Sequence, residues 1–198
     1  QHKVVERFGF GRLTNLGVPG ETTGIITTPA AWSKYTQTSV AMGHEIGVTP
    51  VQMVRAFSSF CNGGWMPQPR IALPIGPDGR VLPTVRTPVI PANLALETRS
   101  AMEGVLTEGT GRKAQSALYR MFGKSGTAQL PKPAGQGKGY FEDRYVANFI
   151  AGAPFENPRI VVLCVIDDPD KKKGHFGGSI AGPVVRDVID ESLQYLGV

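Results

Sequence analysis

The chain has 198 residues, the size of one domain and long enough to bury a sizeable core. Hydrophobic residues make up 41% and charged residues 19%, which excludes intrinsic disorder, and no apolar run reaches the length of a membrane span. The net charge of +5 is dispersed except for Lys171-Lys172-Lys173, and that run lacks the interleaved aromatics of a single-strand nucleic-acid binder; it reads as a solvated turn, and nucleic acid is not an expected partner.

Cys61 and Cys164 stand far apart in apolar settings and read as buried free thiols. Neither they nor His2, His44 and His175 follow a metal-ligand spacing, so no metal site and no cofactor is expected. There is no initiator Met and no signal peptide, and the first residues read as the middle of a domain.

Residues 1–36 are loop-rich, with Phe8-Gly9-Phe10-Gly11 and Leu16-Gly17-Val18-Pro19-Gly20. His44 and Glu45 are adjacent and could pass for an acid–base pair, but neighbours in a loop rarely converge on one substrate. Thr49-Pro50-Val51-Gln52 predicts a sharp helix start, with Thr49 as cap, Pro50 in the first turn and Gln52 completing a capping box. Val51, Val54, Phe57 and Cys61 recur at helical spacing before Asn62-Gly63-Gly64 ends the helix. From Trp65 to Pro91 prolines punctuate short extended pieces around a turn at Pro77-Asp78-Gly79. Pro91 opens a second helix, with Leu94, Thr98, Met102 and Val105 on one face, that Gly109 stops. Thr107–Gly111 reads as a flexible hinge.

A β part follows. Residues 120–130 predict a strand carrying Lys124-Ser125-Gly126-Thr127, and Pro131–Gly139 a basic, mobile loop. Tyr145–Ala153 alternates as a strand should. Ile160–Ile166 is apolar without alternation, which predicts a central strand covered on both faces. The chain offers that strand no obvious partner for its second edge, so a partner outside this sequence is expected to pair there. A last helix spans about 182–196, with Val185, Val188, Ile189, Ser192 and Leu196 on its apolar stripe. The fold class is α+β, helices packed on a small antiparallel sheet. The reading is one domain over 1–198, a helical and loop part over 1–119 and the strands with the closing helix over 120–198.

Lys124-Ser-Gly-Thr places a cation and two hydroxyls at the start of a hairpin, a good receptor for a carboxylate beside a reacting carbonyl. Lys-Ser/Thr-Gly is one of three motifs of the serine β-lactamases and penicillin-binding proteins. The other two are absent from these residues: no Ser is followed three positions later by Lys, and no S-x-N occurs. Further segments run in collinear order, namely His44-Glu-Ile-Gly-Val-Thr-Pro-Val-Gln-Met53 leading to Asn62-Gly-Gly64, Lys124–Gln129, and Gly177-Gly178 before Pro183-Val184. With these the chain resembles the transpeptidase domain of class B penicillin-binding proteins. Arg7–Gly11 followed by Thr14–Gly17 resembles the division-specific members.

The resemblance implies the penicillin-binding/β-lactamase-like fold, incomplete at its N-terminal side, with the missing edge partner of Ile160–Ile166 being the family's first strand. It implies a membrane-anchored parent with this domain on the extracytoplasmic side. The implied activity is acyl transfer between D-Ala–D-Ala stem peptides of peptidoglycan, with β-lactams binding the same site and divisome proteins as possible partners. By resemblance Lys124 sets the positive potential, Ser125 and Thr127 grip the substrate carboxylate, Gly126 admits close backbone approach, and the Thr127 N–H is one oxyanion donor. Gln129 is expected either to contact substrate backbone or to pack, and His175 either to line the cleft rim or to sit in a surface turn. Two other enzyme readings, a β-lactamase and a β-lactam sensor, fit the Thr14–Gly17 and His44–Met53 segments less well. The rival of another class is a non-catalytic module used for protein contacts or completed by another chain, including a dimer through the exposed strand edge.

Overall fold

A computed structural model describes every residue except Ala134 and Lys138, together with the side chain of Lys171. The chain forms two compact units, Gln1–Ala95 and Leu96–Val198. Their division falls inside the helix Ala92–Thr107.

The first unit contains α1 (His2–Arg7), β1 (Ile25–Ile26), α2 (Thr36–Ala41), β2 (Ile46–Gly47), α3 (Pro50–Cys61), β3 (Trp65–Pro67) and β4 (Arg86–Pro88). The short strands pair antiparallel, β1 with β2 and β3 with β4. The α3 start is the predicted capping box: Gln52 N–H donates to Thr49 Oγ1 at 3.2 Å and Thr49 N–H to Gln52 Oε1 at 2.8 Å. Gln52 does more than cap. Its side chain is buried, and its Nε2 donates to the carbonyls of Arg12 (2.8 Å) and Thr23 (2.9 Å), so one amide ties the glycine-rich entry loop to the helix. Phe57, on the predicted helical stripe, is buried, and Phe60 is half-buried. Glu45 sits at φ 58° and accepts from Thr36 Oγ1 at 2.9 Å, a loop-closing role and not one half of an acid–base pair.

Helix α4 (Ala92–Thr107) follows, then β5 (Phe122–Pro131), β6 (Tyr140–Ala153), β7 (Ile160–Asp167), α5 (Gly177–Ile180) and α6 (Gly182–Tyr195). Leu94, placed on the inward stripe of α4, is exposed; Ala95 and Leu106 are the buried positions. The three long strands form one antiparallel sheet in the order β5-β6-β7. Within the described residues β6 is therefore central and β7 has a strand partner on one edge alone, the open second edge that the sequence pointed to. The unbroken apolar run is explained by its two faces. Ile160, Val162, Cys164 and Ile166 pack on the core, while Val165 on the opposite face is 45% exposed. The β5–β6 hairpin is closed by Lys132 N–H to the Gly139 carbonyl at 2.9 Å. The basic, mobile loop expected at Pro131–Gly139 includes Ala134 and Lys138, which lie outside the described residues.

On one face of the sheet Ala147, Phe149, Ala151 and Ala153 are buried against Val185, Ile189 and Leu193 of α6, with Leu106, Ala114 and Met121. Full burial of each large side chain in this cluster contributes roughly 1.5–3 kcal/mol. The α6 stripe thus runs through Gly182, Val185, Ile189 and Leu193. Val188 and Leu196, expected on it, are exposed, because the helix rotates to bring Leu193 inward. Gly182 has a packing reason: a Cβ there would stand 2.9 Å from the Ala114 Cβ. Both cysteines are half-buried thiols, and burial raises the Cys164 thiol pKa above its ordinary value.

Candidate active site

The register fixes which side chains share a face. Lys124 pairs with Ile150, Ser125 with Phe149, Gly126 with Asn148 and Thr127 with Ala147. Directly opposed residues point to the same side, so Ser125 and Thr127 share the α6-facing side of the sheet while Lys124 and Gly126 share the other. Strand β5 is also an edge of the sheet among the described residues, which leaves the outer side of the KSGT segment free of a strand partner. Lys124 and Thr127 are exposed, and Ser125 and Gly126 half-exposed.

Each of the two hydroxyls is held from behind. The Gly177 N–H, in the first turn of α5, donates to Thr127 Oγ1 at 3.1 Å. Ser125 Oγ lies 2.7 Å from the Thr110 hydroxyl. The Lys124 ammonium donates to the Ser125 carbonyl at 2.6 Å, so the cation lies along its own strand. Gly126 is required by its neighbour: a Cβ would fall 2.6 Å from the Asn148 side-chain oxygen.

Two glycines bring α5 onto this strand. A Cβ on Gly177 would lie 2.1 Å from the Asn148 carbonyl oxygen and 2.4 Å from that of Gly126, and one on Gly178 would lie 1.9 Å from the Thr110 oxygen. No other residue allows that approach. The Thr107–Gly111 segment is likewise packed, in contrast to the expected hinge. Gly111 N–H donates to the Val105 carbonyl at 2.8 Å, and a Cβ on Gly111 would meet the Phe149 ring at 3.0 Å. Sequence reasoning missed Thr110 for this reason. The available signal was the Gly-Thr-Gly spacing, since glycines flanking a hydroxyl mark close backbone approach as readily as flexibility.

His175 is stacked on Tyr145 (centroids 4.1 Å apart, planes at 12°) and touches Phe176 at 4.3 Å, which joins β6 to the segment entering α5. Arg144 supports the same rim by donating to Asp168, a bond that raises the Arg144 pKa. Gln129 is bound within the hairpin, its Nε2 donating to the Glu142 carbonyl at 3.4 Å. The second unit also holds a recess of about 210 Å³ bounded by Glu103, Leu106 and 115–121, but none of the KSGT residues lines it. The KSGT site is an open shelf. No group of three or more metal-ligating side chains is present among the described residues.

The model of the penicillin-binding protein transpeptidase domain matches residues 2–190. The chain belongs to that family. Stage V sporulation protein D of Bacillus subtilis is 38% identical over 202 residues, covering 99% of this chain and 30% of that protein. The probable peptidoglycan D,D-transpeptidase PenA of Neisseria flavescens is 31% identical over 96% of this chain and 45% of its own length. Among solved structures, penicillin-binding protein 3 of Mycobacterium tuberculosis complexed with ampicillin superposes with a TM-score of 0.87 at 30% identity, covering 100% of this chain and 46% of that one. The α+β architecture is therefore that of class B penicillin-binding transpeptidase domains. The chain spans less than half the length of these relatives.

Proposed function

We propose that this chain forms the KSGT wall of a serine D,D-transpeptidase that cross-links peptidoglycan stem peptides. The observation that carries the reading is the pair of hydroxyls, Ser125 and Thr127, each buttressed from behind on a sheet edge open to an extended peptide. In this reading the serine nucleophile comes from a segment outside these 198 residues. Its oxygen attacks the carbonyl between the two D-Ala residues, the C–N bond breaks, and the terminal D-Ala leaves with a proton. The acyl group then passes to an amine of a neighbouring stem. A β-lactam acylates the same serine through opening of its ring amide.

The residues divide the work by chemistry. Lys124 supplies positive potential beside the reacting serine. Ser125 and Thr127 bind the substrate carboxylate, and the Thr127 N–H is one oxyanion donor, worth roughly 3–4 kcal/mol of transition-state stabilisation. His175, with Tyr145 and Phe176, lines the rim, and Gln129 closes the hairpin beside it. The free edge of β7 pairs with a strand from the upstream part of the same domain, not with a second copy. The parent is membrane-anchored with this domain outside the cytoplasmic membrane, where divisome proteins are its partners. No helix among the described residues is long and apolar enough to be the anchor.

Intact mass after incubation with fluorescent penicillin tests the reading, with and without the polypeptide immediately upstream. An adduct only when both are present supports it. No adduct with either sample, folding confirmed, favours a non-catalytic interaction module. An adduct on this chain alone overturns the assignment of the nucleophile.

A further inference from the structure

We propose that Thr110 is a positioning residue that orients the Ser125 proton toward the substrate carboxylate; this rests on the carboxylate-binding role given to Ser125 above. A hydroxyl carries one proton and accepts through two lone pairs, whereas a carboxylate only accepts. To bind a carboxylate, Ser125 and Thr127 must each aim their single proton outward.

For Thr127 the direction is already settled. Its partner behind, the Gly177 N–H, can only donate, so the Thr127 proton stays free for a ligand. For Ser125 the partner is the Thr110 hydroxyl at 2.7 Å, and either oxygen can be the donor. When a carboxylate takes the Ser125 proton, Thr110 must donate to Ser125 Oγ. The result is a short relay, Thr110 O–H to Ser125 Oγ and Ser125 O–H to carboxylate, in which each bond polarises the next.

Thr110 is fixed well enough to serve. Its carbonyl packs against Gly178, and the next residue is bound to Val105 and lies under the Phe149 ring. The Phe149 backbone is in turn the cross-strand partner of Ser125. The loop, the sheet and α5 therefore set the spacing of the two hydroxyls together.

The test uses the full-length protein that carries this chain and compares acylation by benzylpenicillin with acylation by its methyl ester, whose carboxylate is masked. In wild type the free acid is expected to react faster than the ester. Thr110→Val keeps the shape and removes the donor, so it should lower the free-acid rate roughly tenfold, the scale of one charge-assisted hydrogen bond, and leave the ester rate unchanged. Thr110→Ser should restore most of the preference. In a Ser125→Ala background, Thr110→Val should add no further loss of preference. Equal losses for acid and ester, or additive effects with Ser125→Ala, would make Thr110 merely structural and overturn the proposal. If Thr110→Val fails to fold, Thr110→Ser with a wild-type free-acid preference supports the relay, and loss of that preference in a folded Thr110→Ser overturns it. A wild type that neither ligand acylates would instead refute the transpeptidase reading itself.

Discussion

Gly177→Ala probes the contact on which the Thr127 side of the site depends. The added methyl would stand 2.1 Å from the Asn148 carbonyl oxygen and 2.4 Å from that of Gly126. Both obstacles are backbone within a paired strand, so neither can rotate aside. Relief requires α5 to retreat from β5 by roughly 1 Å, at a cost of about 1–3 kcal/mol for overpacking a close-packed contact. The same retreat stretches the Gly177 N–H to Thr127 bond from 3.1 Å beyond hydrogen-bonding range. Misplacement on that scale costs about a hundredfold in rate when it displaces a group that must meet a reacting substrate. Urea denaturation and the acylation rate with penicillin, measured on the full-length protein, report the two effects separately. Gly104→Ala is the control, because no atom lies within 4 Å of its added Cβ and it sits mid-helix without positive φ. That change should stabilise by up to about 1 kcal/mol with no effect on acylation. A Gly177→Ala protein with wild-type stability and acylation would refute the claim that α5 packing positions Thr127.

Three further outcomes are expected. Leu193→Ala opens a cavity in the cluster between α6 and the sheet, where Leu193 is fully buried, and should cost about 2–5 kcal/mol by denaturant melt, whereas Leu196→Ala on the exposed side should cost little. The Thr14 hydroxyl bond lowers the pKa of Glu21, with backbone bonds from Leu16 and Gly17 adding to it. A carboxyl depressed in the folded state adds stability above its unfolded pKa and loses it as pH falls through the folded value. Thr14→Val should therefore raise the Glu21 pKa in an NMR titration and flatten this part of the acid limb; an unchanged titration would refute the bond's role. Finally, the pH-rate profile for alkylation of Cys164 in the native protein should lie at higher pH than that of an ordinary thiol and return to the ordinary position in denaturant.

Local chemistry is legible in the order of residues. Thr49, Pro50 and Gln52 specify the α3 start through bonds between residues three apart, and such bonds follow from chain order alone. The α+β class and the KSGT segment are readable from the alternation of β6 and from motif spacing, because strand period and residue type are local properties. Sequence alone does not place Leu193, rather than Leu196, in the α6 stripe, since both satisfy helical spacing and only the sheet beneath chooses between them. The Gly-Thr-Gly turn reads as a hinge, because glycine permits both freedom and close approach. The contacts that distinguish these two, with Gly178 and Phe149, come from far along the chain. What the sequence by itself determined was therefore the inventory of groups and the elements that carry them. Tertiary structure decided their mutual placement: Ser125 on Thr110 and Thr127 on Gly177 are pairings across a fold, and no spacing along the chain encodes a 2.7 Å contact between residues from different elements.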